Sequence, residues 1–190
     1  MEAVYKYKDF VEKDKITFYG DIKENIRYLL RIPLKNSENK KVLVIMKNPS
    51  KANNKISDLT IDRVLTFCNS EGYSEVSIMN LFSYYSTNPT KIKNLIDDGK
   101  IDDAIGIKTD RIMKEIINEV DEIIVAWGGN SINREKHYKN RIKQVTNIIK
   151  GKDIYYVQSI SEDTYYPRHA QVWNVKSGIE KYKWIPKFHY

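Results

Sequence analysis

Four polar clusters in this chain follow apolar runs, and each carries groups capable of chemistry. Asn48-Pro49-Ser50, flanked by Lys47 and Lys51, follows the run Val42 to Met46. Asn80 closes the run Val76 to Met79. Trp127-Gly128-Gly129 follows Glu122 to Ala126, and Pro167-Arg168-His169 stands in a late polar loop. An asparagine amide both donates and accepts, so it can read a polar edge or hold a water, but it is not a strong base. An imidazole gives or takes a proton near neutral pH. Lysine and arginine around such groups suit phosphate. Other chemistries are excluded or unsupported. The histidines, His137, His169 and His189, are scattered, and a lone cysteine, Cys68, rules out an intramolecular disulfide and a cysteine-cluster metal site. No Gly-x-x-x-x-Gly-Lys sequence is present to cradle a triphosphate. Neither a metal nor a cofactor is expected.

The elements that must position these groups can be read from periodicity. Val42 to Met46 is short, continuous and bounded, as in a strand buried on both faces, and the Asn-Pro-Ser turn stops it. Arg27 to Leu34 predicts an earlier strand ending near Pro33, Val76 to Phe82 a third, Glu122 to Trp127 a fourth and Ile154 to Val157 a fifth. Between them, Ile61, Val64, Leu65 and Cys68 share helical spacing, with Asp58 or Thr60 able to cap the start. Cys68 on that helix reads as a buried, inert thiol. Ile92 to Ile96 supports only a short helix. Thr109 or Asp110 caps an amphipathic helix with Ile112, Ile116, Ile117 and Val120 on one face. Arg134 to Lys150 is a basic helix. Strands alternating with helices predict an α/β fold, a three-layer α/β/α sandwich with a mostly parallel central sheet. The four polar clusters would then share the carboxyl edge of the sheet, where open α/β sheets bind ligands.

The chain of 190 residues suits a single domain spanning 1–190. Its apolar and charged content is that of a soluble globular protein, with no signal-peptide pattern and no membrane-spanning run, so a cytoplasmic location is expected. The net charge of +7 permits a polyanionic partner and equally fits a solvated lysine-rich surface. Basic and aromatic residues interleave in the tail Tyr182 to Tyr190. That pattern suits stacking on single-stranded bases, or a terminal segment laid over the sheet edge.

The order apolar strand–Asn-Pro, strand–Asn, strand–Trp-Gly and a late histidine loop resembles the uracil-DNA glycosylase superfamily. Its carriers are Asn48-Pro49, Ile78-Met79-Asn80, Val125-Ala126-Trp127-Gly128 and His169, across roughly residues 27 to 175. A closer resemblance is to a domain family common on mobile elements, some of whose members look like pseudo-uracil-DNA glycosylases. It rests on Arg27-Tyr28-Leu29-Leu30, Asn48-Pro49-Ser50-Lys51-Ala52, Asp58-Leu59-Thr60-Ile61, Asn80-Leu81-Phe82, Thr87-Asn88-Pro89, Gly106…Asp110 and Trp127-Gly128. The resemblance implies that Asn48 positions water and that His169 donates to the leaving base. Asn80 would read the flipped base, in a pocket shared with Met46, Lys47, Pro49 and Ser50. Lys51 and Arg168 would contact DNA, and Trp173 would act as a wedge in the vacated stack.

Departures from the pattern accompany these matches. Met46 and Lys47 stand where the superfamily has glycine and a small or polar residue, and Met46 would crowd a base. Ser50 replaces tyrosine or glycine, and the prolines that flank the last loop's serine are missing around His169. The expectation is therefore a degenerate site that no longer excises uracil and acts by binding DNA, or acidic DNA-mimic glycosylase-inhibitor proteins, by charge complementarity. The alternatives are an active glycosylase on a modified or mismatched base, and a nucleotide-binding enzyme on the same scaffold.

Overall fold

The computed structural model of the protein describes residues 5–86, 89–129, 134–158 and 166–185. Within them lie the strands β1 (Thr17–Asp21), β2 (Ile26–Pro33), β3 (Lys41–Met46), β4 (Glu75–Asn80), β5 (Glu122–Val125), β6 (Asp153–Gln158) and β7 (Glu180–Lys183). They form one sheet in the order β1-β2-β4-β3-β5-β6-β7. The four central strands are parallel. The outer pairs, β1–β2, β2–β4 and β6–β7, are antiparallel. The sheet is thus mixed, and the expected parallel character is confined to its centre. A parallel return needs a crossover of about a dozen residues or more. The short connection 34–40 cannot supply one, so β2 runs opposite to β3.

The side-chain alternation of β3 shows how the layers are built. Val42, Val44 and Met46 join one apolar cluster with Val64, Phe67 and Cys68 of α1 (Leu59–Ser70). Leu43 and Ile45 join the other. That second cluster takes in Ile92 of α2 (Pro89–Asp97), Ala104 of α3 (Ile101–Ile105), Met113 of α4 (Thr109–Ile116) and Val145 of α5 (Glu135–Ile149). A strand with apolar residues on both faces is stable only between two layers. Asp58 caps α1 as expected, its Oδ1 accepting from the Ile61 amide at 3.0 Å. Helix α2 runs longer than its apolar pattern suggested, and α3 gave no periodic signal. Cys68 is buried, and burial raises its thiol pKa.

Two strands escape the sequence patterns because they are edges. The β1 residues alternate between exposed and half-exposed, and β7 reads Glu-Lys-Tyr-Lys. Charge and partial exposure are how edge strands avoid further pairing, and they erase the apolar signal. The tail through Ile185 is built into the protein. The Trp184 amide donates to the Ile154 carbonyl at 2.8 Å, and its ring meets Trp127 edge-on at 5.3 Å. Thr87-Asn88, Asn130, Ser159 to Tyr165 and the terminal Pro186 to Tyr190, all part of the expectations above, lie outside the described residues.

One carboxylate fastens β7 to the rest. Lys181 Nζ lies 2.5 Å from Glu122 Oε2, the Tyr73 hydroxyl donates to the same oxygen, and Lys40 Nζ lies 3.0 Å from Oε1. Burial works to raise the Glu122 pKa, but hydrogen bonds from Lys181, Tyr73 and Lys40 hold it below the usual glutamate value. A depressed folded pKa adds stability above the unfolded value, and that stability is lost as pH falls through the folded one. Glu122→Gln is expected to lower unfolding free energy by about 1–2 kcal/mol at neutral pH, a figure kept low because the group sits at the sheet's rim. Urea midpoints measured from about pH 7 to about pH 3 should show the difference from the parent chain shrinking below the usual glutamate pKa.

Candidate functional site

The parallel pairing of β3 with β4 continues one step past both strands. The Met46 carbonyl accepts from the Leu81 amide at 2.8 Å, and the Lys47 carbonyl accepts from Phe82 at 2.9 Å. This holds the two polar loops side by side at the carboxyl edge. Asn48 turns its amide to the loop after β4, donating to the Ser86 carbonyl at 2.8 Å and to the Pro49 carbonyl at 3.3 Å.

The centre of this half is a residue that sequence reasoning passed over as part of a strand. Arg27 of β2 is fully buried. Its Nη1 donates to the Ala52 carbonyl at 2.9 Å and reaches the Ser50 carbonyl at 3.5 Å, while Nη2 donates to Asn80 Oδ1 at 3.3 Å. The turn after β3 thus wraps around a guanidinium. Burial lowers the Arg27 pKa to about 10, against the pull of Asp58, so it stays cationic at neutral pH. Asp58 Oδ2 accepts from the Ala52 amide at 3.2 Å and ties the turn to α1. Three polar atoms at this cluster, Arg27 Nε, Asn80 Nδ2 and Ser50 Oγ, are buried with no hydrogen-bond partner among the described residues. Such orphaned atoms are uncommon in folded proteins and concentrate where a ligand, water or strain has a role. The only available signal for Arg27 was a cation directly before the apolar run Tyr28-Leu29-Leu30.

A second cluster forms where β3 meets β5. Gly128 has φ +67°, and a Cβ there would lie 2.7 Å from the Cβ of His169. Its amide donates to the Pro167 carbonyl at 2.9 Å. Only glycine permits this approach, which seats the Pro167-Arg168-His169 segment on the sheet edge. The Tyr138 hydroxyl of α5 donates to the Gly128 and Trp127 carbonyls at 2.7 and 3.2 Å. Lys47 is only 6% exposed, with Nζ donating to the Gly129 carbonyl at 2.5 Å and lying 5.6 Å from the centre of the Tyr138 ring. Burial lowers its pKa to about 8. Burial first, and then the Lys47 charge, lowers the His169 pKa to about 4. His169 Nδ1 accepts from the Gln171 amide at 3.1 Å, so the neutral ring carries its proton on Nε2 and can donate from there.

The predicted site residues therefore divide. Lys47 and His169 come together with Gly128 and Gly129. Asn80 joins the Asn48-Pro49-Ser50 turn through Arg27. Two expectations are corrected. Trp173 is not a surface wedge: it is 2% exposed, packs edge-on against Phe67 at 5.4 Å and donates from Nε1 to the Arg168 carbonyl at 3.3 Å. Met46 does not line a base pocket, since its side chain belongs to the α1-facing core. Asn80 is fully buried with Oδ1 already held, so it does not present an open reading edge. Pro49 is buried, Ser50 and Arg168 are half-buried, and Lys51 is exposed.

The Gly106…Asp110 motif has a packing role. Gly106, at φ +81°, leaves room for the Tyr28 ring, and the Thr109 hydroxyl meets that of Ser83 at 2.7 Å. Asp110 pairs with buried Arg141 of α5 at 2.5 Å, and Arg141 Nε donates to the Leu81 carbonyl at 2.8 Å. Among the described residues, no group of three His, Cys, Asp or Glu side chains could hold a metal. None of the described helices is long and apolar enough to cross a membrane.

A family model described as "Protein of unknown function (DUF1643)" matches residues 27–170, well over half of the chain, and the protein belongs to that family. No curated protein and no solved structure matches it. Gly128→Ala is expected to unseat His169 and to lower stability by about 1–3 kcal/mol, through its positive φ and the clash with the His169 Cβ. Chemical denaturation reads the loss, and the imidazole titration read by NMR should rise from about 4 towards an ordinary histidine value as His169 is rehydrated.

Proposed function

We propose that this chain is a uracil-DNA-glycosylase-fold protein whose base site is closed, and that it works by binding DNA, or the acidic DNA-mimic proteins that inhibit genuine glycosylases, rather than by excising uracil. Arg27 carries the reading. Base excision requires a flipped base to enter a pocket and offer its edge to a polar side chain. Asn80, the residue matched to that task, is sealed, and a guanidinium occupies the space beside it. A base could reach Asn80 only by expelling a cation from four polar contacts. Asn48, matched to the water-positioning role, spends its amide on the Ser86 carbonyl and has no carboxylate with which to draw a proton from water. Three layers around a parallel centre, with polar loops at the carboxyl edge, support the fold assignment. The net charge of +7, with Lys51 exposed beside the turn, supports an anionic partner.

Duplex DNA should be retained at low salt, with affinity falling at least about tenfold between 50 and 200 mM salt as counterion release predicts. Uracil-containing DNA should yield no abasic sites. Uracil release that disappears in Asn48→Ala or His169→Ala would overturn the reading. So would failure to retain either DNA or a DNA-mimic inhibitor at low salt.

A further inference from the structure

We infer that Lys47 is a carbonyl-capturing amine whose substrate class is the ring-opened sugar of an abasic site in DNA. The inference rests on the DNA-binding reading above and adds to it the lesion that the site accepts. Two observations meet here. The space beside Asn80 is filled by Arg27, so the edge of the sheet has no room for a base. A few residues away, Lys47 holds its amine at the same edge against the Gly129 carbonyl, between the Tyr138 ring and His169. A site closed to bases beside a desolvated amine fits a nucleotide that has lost its base. Such a nucleotide is also the least costly to extrude, because no base stacking or pairing has to be broken.

The chemistry balances without a further reactant. The neutral Lys47 nitrogen adds its lone pair to the C1′ aldehyde carbon, the C–O π bond opens, and a proton passes from nitrogen to oxygen. The carbinolamine then loses its hydroxyl and the remaining nitrogen proton as water, leaving an imine between Lys47 and the sugar. The reaction needs an unprotonated amine. Burial supplies it, since a pKa of about 8 in place of the ordinary 10.5 gives about 300 times more neutral amine at pH 7. The titratable groups facing this amine are Tyr138 from α5, His169 from the segment seated on Gly128, and Tyr166, whose ring lies 6.0 Å from that of Tyr138. The Tyr138 pKa is raised and that of His169 lowered, so both are neutral at pH 7 and neither stabilises the ammonium by charge.

The test is reductive trapping of the full chain with cyanoborohydride on duplex DNA bearing one abasic site, with peptide mapping of the adduct. Retention of the same duplex without the lesion is measured in parallel. The expected result is an adduct on Lys47, formed at a rate that rises through about pH 8. Lys47→Arg, which keeps the charge, should lose the adduct by at least about tenfold while retaining intact duplex. Trapping unchanged in Lys47→Arg, an adduct spread over surface lysines, or a rate that rises only above about pH 10 would overturn the inference. Intact duplex retained without any adduct on Lys47 defeats this inference alone. Loss of all DNA retention defeats the binding reading and the abasic substrate with it. Denaturation midpoints of the variant check that it folds, and Lys47→Met serves as the second variant if Lys47→Arg does not.

Discussion

A guanidinium inside a protein must be surrounded by acceptors, because the loss of its hydration costs several kcal/mol unless hydrogen bonds replace water. Arg27 imposes that requirement on the carboxyl edge of this sheet. The carbonyls of Ser50 and Ala52 meet it from the turn after β3, and the side chain of Asn80 meets it from the end of β4. Asp58 offsets the charge from the start of α1, while also capping that helix and holding the Ala52 amide. Strand β2, the two central strands and the first helix are therefore coupled through one cation. Removing any acceptor would leave a buried donor unsatisfied, which is a larger loss than the hydrogen bond itself.

The other half of the edge is organised by backbone space rather than by charge. Gly128 lets the His169 segment lie against the sheet, Tyr138 holds the Trp127 and Gly128 carbonyls from α5, and Lys47 closes onto Gly129. Both halves carry a buried cationic side chain, but the environments have opposite consequences. Arg27 keeps its charge, since even a substantial desolvation leaves a guanidinium protonated near pH 7. Lys47 starts from a lower value and is brought to about 8, within reach of neutrality. The same burial yields a fixed plug from one residue type and a reactive amine from the other.

The polar clusters that first drew notice all prove structurally connected, though seldom in the role their type suggested. Asn48, Asn80 and His169 are not three groups around one cavity. Each is engaged by a neighbour: Asn48 by Ser86, Asn80 by Arg27, and His169 by the Gln171 amide. Matching residue types in the right order located the site-bearing edge. It did not reveal what each side chain touches, since hydrogen-bond partners come from segments distant in the chain. Arg27 reaches Asn80 across two strands that are not consecutive in sequence, which is why no local pattern announced it.

By itself the sequence determined the central strands, helices α1, α4 and α5, and the placement of the polar turns at one end of the sheet. Those features follow from short-range apolar periodicity, caps and turn residues, which act within a few positions of one another. It also placed Cys68 in a buried helix face and marked Gly128 as a tight turn. The tertiary structure alone decided the mixed sheet, the edge strands β1 and β7, the burial of Trp173 and the closure of the site by Arg27. Strand direction is set by what neighbours a strand, edge strands carry no apolar stripe, and a large aromatic ring reads the same whether it covers a core or a base. The fate of a buried charge depends on acceptors delivered by remote segments, and only the folded chain brings those acceptors together.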